Sequence, residues 1–248
     1  MSNATSFGQQ AGLYAKGRPR YPAALFDWIA ARSPATTAVW DVATGSGQAA
    51  VSLADHFERV VATDIDAAQI DAASPHPRIA YAVAPAERSG LPDASVDAVC
   101  VATALHWFAG DSFWAEVARV ARPGALLCAW VYDLPRVEGA LQADVLDPLN
   151  ARLDPYWADG NRLAMAGYTA ANTQCPFPTL ATPACDAGGT WTATQLMDFA
   201  QSWSAHLRAR RDGQAAALAA LRRNALALAG AEPVCVRLPL SVLAARVG

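Results

Sequence analysis

A chain of 248 residues is long enough for one large α/β domain, or one domain with a cap, and needs no disulfide or metal to fold. Its 53% hydrophobic and 17% charged content excludes a disordered chain, and a net charge of −3 gives no electrostatic footprint for nucleic acid. Five cysteines without a C-x-x-C pair, no signal pattern at the start, and a longest apolar stretch (98–110) too short to span a bilayer point to a cytoplasmic protein with no membrane partner.

In chain order, Pro22 opens a helix over Ala23–Arg32, since proline suits a first helical turn. A strand over Ala38–Val42 leads into a helix over Gln48–His56. A strand over Val60–Thr63 and a helix near Ala67–Ala73 follow, the helix closed by Pro75 and Pro77. Strands are expected at Ile79–Val83 and Val96–Ala102, the latter a continuous apolar run typical of a strand covered on both faces. A helix over Phe113–Ala121 stops at Pro123-Gly124, before a strand over Ala125–Tyr132. This alternation implies an α/β fold, with a doubly wound, mainly parallel sheet of about seven strands.

After Tyr132 the alternation fails. Residues 133–190 read as a lid or insertion, helical over Leu141–Leu153, rich in aromatics and proline, and closed by an irregular strand within Phe177–Gly189. Helices over Thr194–Arg210 and Gln214–Gly230 and a last strand over Val234–Leu240 complete a single domain, with residues 1–132 as its cofactor-binding half. Arg208, Arg210, Arg211, Arg222 and Arg223 read as solvated helix faces, and scattered His56, His76 and His206 give no metal spacing.

The run Val39-Trp-Asp-Val-Ala-Thr-Gly-Ser-Gly-Gln48 is a short apolar strand carrying one acid, then two glycines one residue apart. Gly45 and Gly47 let backbone approach a nucleotide-like ligand. Asp64 lies 19 positions after Gly45. That is close to the ~20-residue spacing at which a carboxylate meets ribose hydroxyls. The glycines could instead merely end a strand. With Ala50 they also satisfy the G-x-G-x-x-G/A form of an NAD(P)-dependent oxidoreductase, but Asp41 would repel a pyrophosphate. A carboxylate there suits a cationic or zwitterionic ligand such as S-adenosylmethionine.

On these residues the chain resembles a class I S-adenosylmethionine-dependent methyltransferase, of the type 11 or trans-aconitate methyltransferase-like small-molecule branch. Asp41-Val-Ala-Thr-Gly-Ser-Gly47 resembles the family's acid-x-Gly-x-Gly-x-Gly loop, with Ala43 in place of the first glycine. Tyr14…Arg18-Pro19-Arg-Tyr21-Pro22, Ala86-Glu87…Leu91-Pro92…Asp97, Ala104-Leu-His106-Trp107-Phe108 and Arg119-Val-Ala-Arg-Pro123-Gly124 resemble its further segments, as do Trp191-Thr and Ser202-Trp203-Ser204-Ala205. Pro85 stands near where many relatives carry an adenine-binding acid. The fold so implied is Rossmann-like, with an N-terminal segment and a helical lid.

The resemblance implies S-adenosyl-L-methionine as cofactor, held by Tyr14, Arg18, Asp41, Ala43, Gly45, Gly47, Asp64, Ile65, Ala86, Glu87 and Thr103. Asp64 would meet the ribose, and Arg18 the cofactor carboxylate. A small-molecule acceptor would touch Tyr14, His106, Trp107, Tyr132 and Trp203. His106 and Tyr132, at the ends of neighbouring strands, are the catalytic candidates; a histidine base is needed only for an acceptor not already ionised. The expected reaction is O-methylation, with a carboxylate acceptor favoured by resemblance, in a monomer or homodimer. A catalytically silent, cofactor-binding relative is the alternative.

Overall fold

The computed structural model describes residues 20–248. The first elements fall close to their predicted positions: α1 (Ala23–Arg32), β1 (Ala38–Val42), α2 (Gln48–Ala54), β2 (Arg59–Asp64), α3 (Ala67–Asp71), β3 (Ile79–Val83) and β4 (Val96–Ala102). α4 (Asp111–Val120) and β5 (Ala121–Tyr132) follow, then a lid with α5 (Asp147–Leu153), α6 (Asp159–Met165) and α7 (Ala170–Thr173). The chain ends with β6 (Cys185–Asp186), β7 (Gly189–Trp191), α8 (Ala193–Gln201), α9 (Ser204–Ala209), α10 (Ala215–Ala229), β8 (Val234–Val236) and β9 (Pro239–Val247).

Seven strands form one sheet in the order β3-β2-β1-β4-β5-β9-β6. The first five pair in parallel, while β9 runs antiparallel to β5 from Ala125↔Val247 to Tyr132↔Leu240. All five residues of β1 are buried, so alternate side chains feed two separate cores. Val39, Cys100, Cys128 and Trp130 pack with Leu25, Phe26 and Leu53 on one face. Trp40, Val99 and Val101 pack with Phe113 and Val117 on the other. The strand order reverses between β1 and β4, so the loops leaving their carboxyl ends flank the crevice where ligands of such sheets lie.

Three boundaries differ from expectation. β5 begins at Ala121 because a register shift beside Val96 absorbs Pro123-Gly124, with Gly124 at φ +76°. The helix expected over Thr194–Arg210 breaks at Trp203, whose backbone is extended (φ −73°, ψ 139°). Ser202 Oγ there donates to the Phe199 carbonyl at 2.6 Å, a side-chain bond that competes with helix continuation. The last strand, expected over Val234–Leu240, is two strands. Asp186 holds Arg237 Nε and the Leu238 N–H, dividing β8, which pairs only with β7, from β9, which enters the main sheet. Among the described residues no helix is long and apolar enough to cross a membrane.

Candidate active site

The turn after β1 is held in an unusual backbone conformation. Ala43, Gly45 and Gly47 all take positive φ, at 53°, 58° and 88°. For alanine that conformation costs roughly 1–2 kcal/mol, and glycine escapes it. The Thr44 N–H bonds the Thr63 carbonyl at 2.9 Å, and the Gly45 N–H donates to Asp64 Oδ2 at 2.8 Å. The other oxygen of Asp64 accepts the Asp66 N–H at 2.9 Å. The turn and the acid ending β2 therefore form one hydrogen-bonded unit, with Ile65 64% exposed beside it.

Asp41 lies beneath this turn, fully buried. Thr44 Oγ1 donates to its Oδ2 at 2.5 Å, while Oδ1 has no hydrogen-bond partner among the described residues. Burial pushes its carboxyl up to about 7, a rise reinforced by nearby Asp64 and opposed by the Thr44 bond. Tyr81, from β3, reaches the same place: a Cβ on Gly47 would fall 2.3 Å from its hydroxyl. The φ of +88° favours glycine at position 47, and any larger residue there would also have to displace the Tyr81 hydroxyl.

Past the ends of β4 and β5 opens a cavity of about 110 Å³. Thr103 enters its lining in a left-handed conformation (φ 55°), a strained state for a β-branched residue. Its hydroxyl shares a 3.1 Å hydrogen bond with Tyr21, whose ring stacks on Tyr132 at 5.1 Å. His106 lies in a 3-10 turn (Leu105–Trp107) after β4, and its Nδ1 is 2.7 Å from the hydroxyl of buried Tyr168. The lid and C-terminal helices supply Trp157, Asn161, Phe199 and Trp203 to the opposite wall. Asp133 is the carboxylate in this lining, and Arg136 and the Leu134 N–H already bind it.

A methyltransferase-domain family model matches residues 40–129. A solved structure from Anaeromyxobacter dehalogenans, described as a type II methyltransferase, is 42% identical, covers 92% of this chain and 97% of its own, and superposes with a TM-score of 0.85. The chain belongs to the class I S-adenosylmethionine-dependent methyltransferases. Curated methyltransferases of Dictyostelium discoideum (32% identical over 156 residues, 61% of this chain) and Mycobacterium tuberculosis (35% over 145 residues, 54% of this chain) are more distant. The chain spans 59% of the length of each.

Of the residues singled out in the sequence, Asp41, Ala43, Gly45, Gly47, Asp64 and Ile65 gather around the turn. Thr103, His106, Trp107, Tyr132 and Trp203 share the cavity. Ala86, like Ala43, packs against the second core, whereas Glu87 is solvent-exposed on the turn after β3. Tyr14 and Arg18 lie outside the described residues. Sequence reasoning missed Tyr168, Trp157, Asn161 and Phe199, and also Gln69, whose Oε1 lies 3.7 Å from where a Cβ on Gly45 would stand. The only signal for the lid residues was the aromatic richness of the segment after Tyr132.

Proposed function

We propose that the chain transfers a methyl group from S-adenosylmethionine to an oxygen atom of a small-molecule acceptor seated in this cavity. The observation that carries the reading is the coupled Gly45–Asp64 unit after β1 and β2, at the same end of the sheet as a cavity lined in part by aromatic side chains past β4 and β5. The residues present fit the cofactor. Asp41 keeps one buried oxygen unpartnered under the turn, a place for a cationic group, and Asp64 with exposed Ile65 offers a ribose contact and an apolar surface for a base. Bound there, S-adenosylmethionine supplies an electrophilic methyl on a sulfonium.

The chain's own part is alignment and exclusion of water. Strained Thr103 and Tyr132, both lining the cavity, are braced by Tyr21, which hydrogen-bonds the first and stacks on the second. The lid lines the far side through Trp157 and Asn161, and is pinned to the C-terminal helices by Arg208 Nη1 donating to the Tyr156 carbonyl at 2.7 Å. The carboxylate acceptor favoured by resemblance would find neutral donors such as Asn161 and Ser204 in this lining. We place the reaction in one domain whose lid is the segment after Tyr132. Incubation with S-adenosylmethionine and a panel of small carboxylates and hydroxy compounds tests the reading. Methylated product by mass spectrometry is expected; S-adenosylhomocysteine binding without any product would favour the silent alternative.

A further inference from the structure

We infer that Asp41 gives up a proton when the cofactor's cationic end settles over the glycine turn, and that the Tyr81 hydroxyl then holds the carboxylate so formed. Cofactor binding and proton release are one event at this site. This rests on the methyl-transfer reading above and adds to it how acidity controls occupancy of the turn.

The sheet register brings the two groups together. Asp41 on β1 pairs with Ala62 on β2, and Ala62 with Tyr81 on β3, so the three side chains stand in one row on the same face of the sheet. Ala62 is small, and the phenol reaches past it until its hydroxyl lies against Gly47. Both polar tips in this row are shut off from solvent. Asp41 Oδ1 and the Tyr81 hydroxyl each lack a hydrogen-bond partner among the described residues. An empty acceptor and an empty donor in one buried row are costly, and a neutral carboxyl there costs less than a charged one.

Every element packed on Asp41 bears on its charge. The Thr44 hydroxyl holds Oδ2, and the Ala50 N–H of α2 is a second donor toward the carboxyl. Against them stand burial and the like charge of Asp64 at the end of β2, while β3 and β4 present the neutral Tyr81 phenol and Cys100 thiol. Burial prevails and leaves the carboxyl at about 7, so one further charge nearby decides its state. A positive charge above the turn favours the ionised form without touching it, and the proton passes to solvent. Oδ1 is then a charged acceptor, and a small rotation of Tyr81 lets its O–H donate there. The phenol keeps its own proton, because burial and Asp41 both raise it. The occupied site holds fewer protons than the empty one, so affinity rises with pH until the empty site has itself ionised, and is level beyond.

Calorimetric titration of the whole chain with S-adenosylhomocysteine, repeated in two buffers of different ionisation enthalpy, counts the protons released. More than about half a proton per ligand is expected at about pH 6 and almost none at about pH 8.5, with affinity rising several-fold per pH unit up to about pH 7. Asp41→Asn should bind more weakly, release no proton and show no such rise. Tyr81→Phe should move the levelling-off to higher pH by roughly half a unit or more, because the ionised carboxyl loses its donor; a merely structural role would lower affinity equally at every pH. If Asp41→Asn fails to fold, the wild-type proton count and the Tyr81→Phe shift still decide. Binding at about pH 6 with no release, release of the same size in Asp41→Asn, or a Tyr81→Phe loss equal across the range would overturn the proposal. Absence of binding at every pH would instead remove the broader reading beneath it.

Discussion

The backbone N–H of Gly45 and the carboxylate of Asp64 meet at 2.8 Å, joining the glycine turn to the end of the neighbouring strand. The 19-residue spacing therefore has a direct physical meaning: the acid proposed to meet the ribose also holds the glycine turn in shape. Asp64→Ala should cost about 1–2 kcal/mol of stability by leaving the Gly45 and Asp66 N–H groups without their acceptor. It should also weaken S-adenosylhomocysteine binding more than it lowers stability. Chemical denaturation and calorimetric titration of the same variant separate the two effects.

Ala43 pays for its left-handed backbone with strain that its family's usual glycine lacks. Ala43→Gly should relieve roughly 1 kcal/mol in the folded state, offset in part by the freer unfolded chain. The melting temperature should hardly move, while affinity for S-adenosylhomocysteine should rise several-fold as the methyl leaves the turn. A fall in affinity would show that the methyl group makes a favourable contact.

Asp41 makes stability depend on pH in an unusual direction. Burial lifts its carboxyl from 3.8 to about 7 in the folded chain. Between those values the folded state holds a proton that the unfolded state has lost, so stability falls as pH rises through the window. The full effect is at most about 4 kcal/mol above the upper value. Asp41→Asn should flatten this slope and stabilise the protein at about pH 8, while weakening cofactor binding. Urea unfolding of both proteins across the window checks the sign.

Glu116 acts in the opposite sense. Arg119 above all, with Ser89, holds its carboxyl near 2 against the cost of burial. Ser89 donates to Glu116 Oε1 through both N–H (2.7 Å) and hydroxyl (2.5 Å). This stability is complete above the unfolded value of 4.5 and is lost as pH falls toward 2. Glu116→Gln should cost about 2 kcal/mol at neutral pH, allowing for screening at partly exposed Arg119, and almost nothing near the acid limit. Acid titration of the melting temperature distinguishes the two proteins.

The parallel core was legible because β1 and β4 are continuous apolar runs, and because the turn needs glycine for reasons local to the chain. The stretch Arg119–Gly124 was legible as a motif but not as a lock. Arg119 grips Glu116 and Asp93, and Arg122 grips Asp97, whose other oxygen accepts the N–H groups of Thr37 and Ala38. His106 was legible from its place after β4. Tyr168 was not, because it reaches His106 only through a short lid segment fastened to Ser241, 73 residues further along the chain. The last strand was misplaced for a similar reason: the Asp186–Arg237 contact that divides it joins residues 51 apart.

Calorimetric titration of the whole chain with S-adenosylhomocysteine is the most direct measurement. Saturable binding is expected, weakened in Asp64→Ala and retained in Tyr168→Phe. No detectable binding at millimolar ligand would contradict the assignment of the glycine turn, and with it the methyl transfer proposed here.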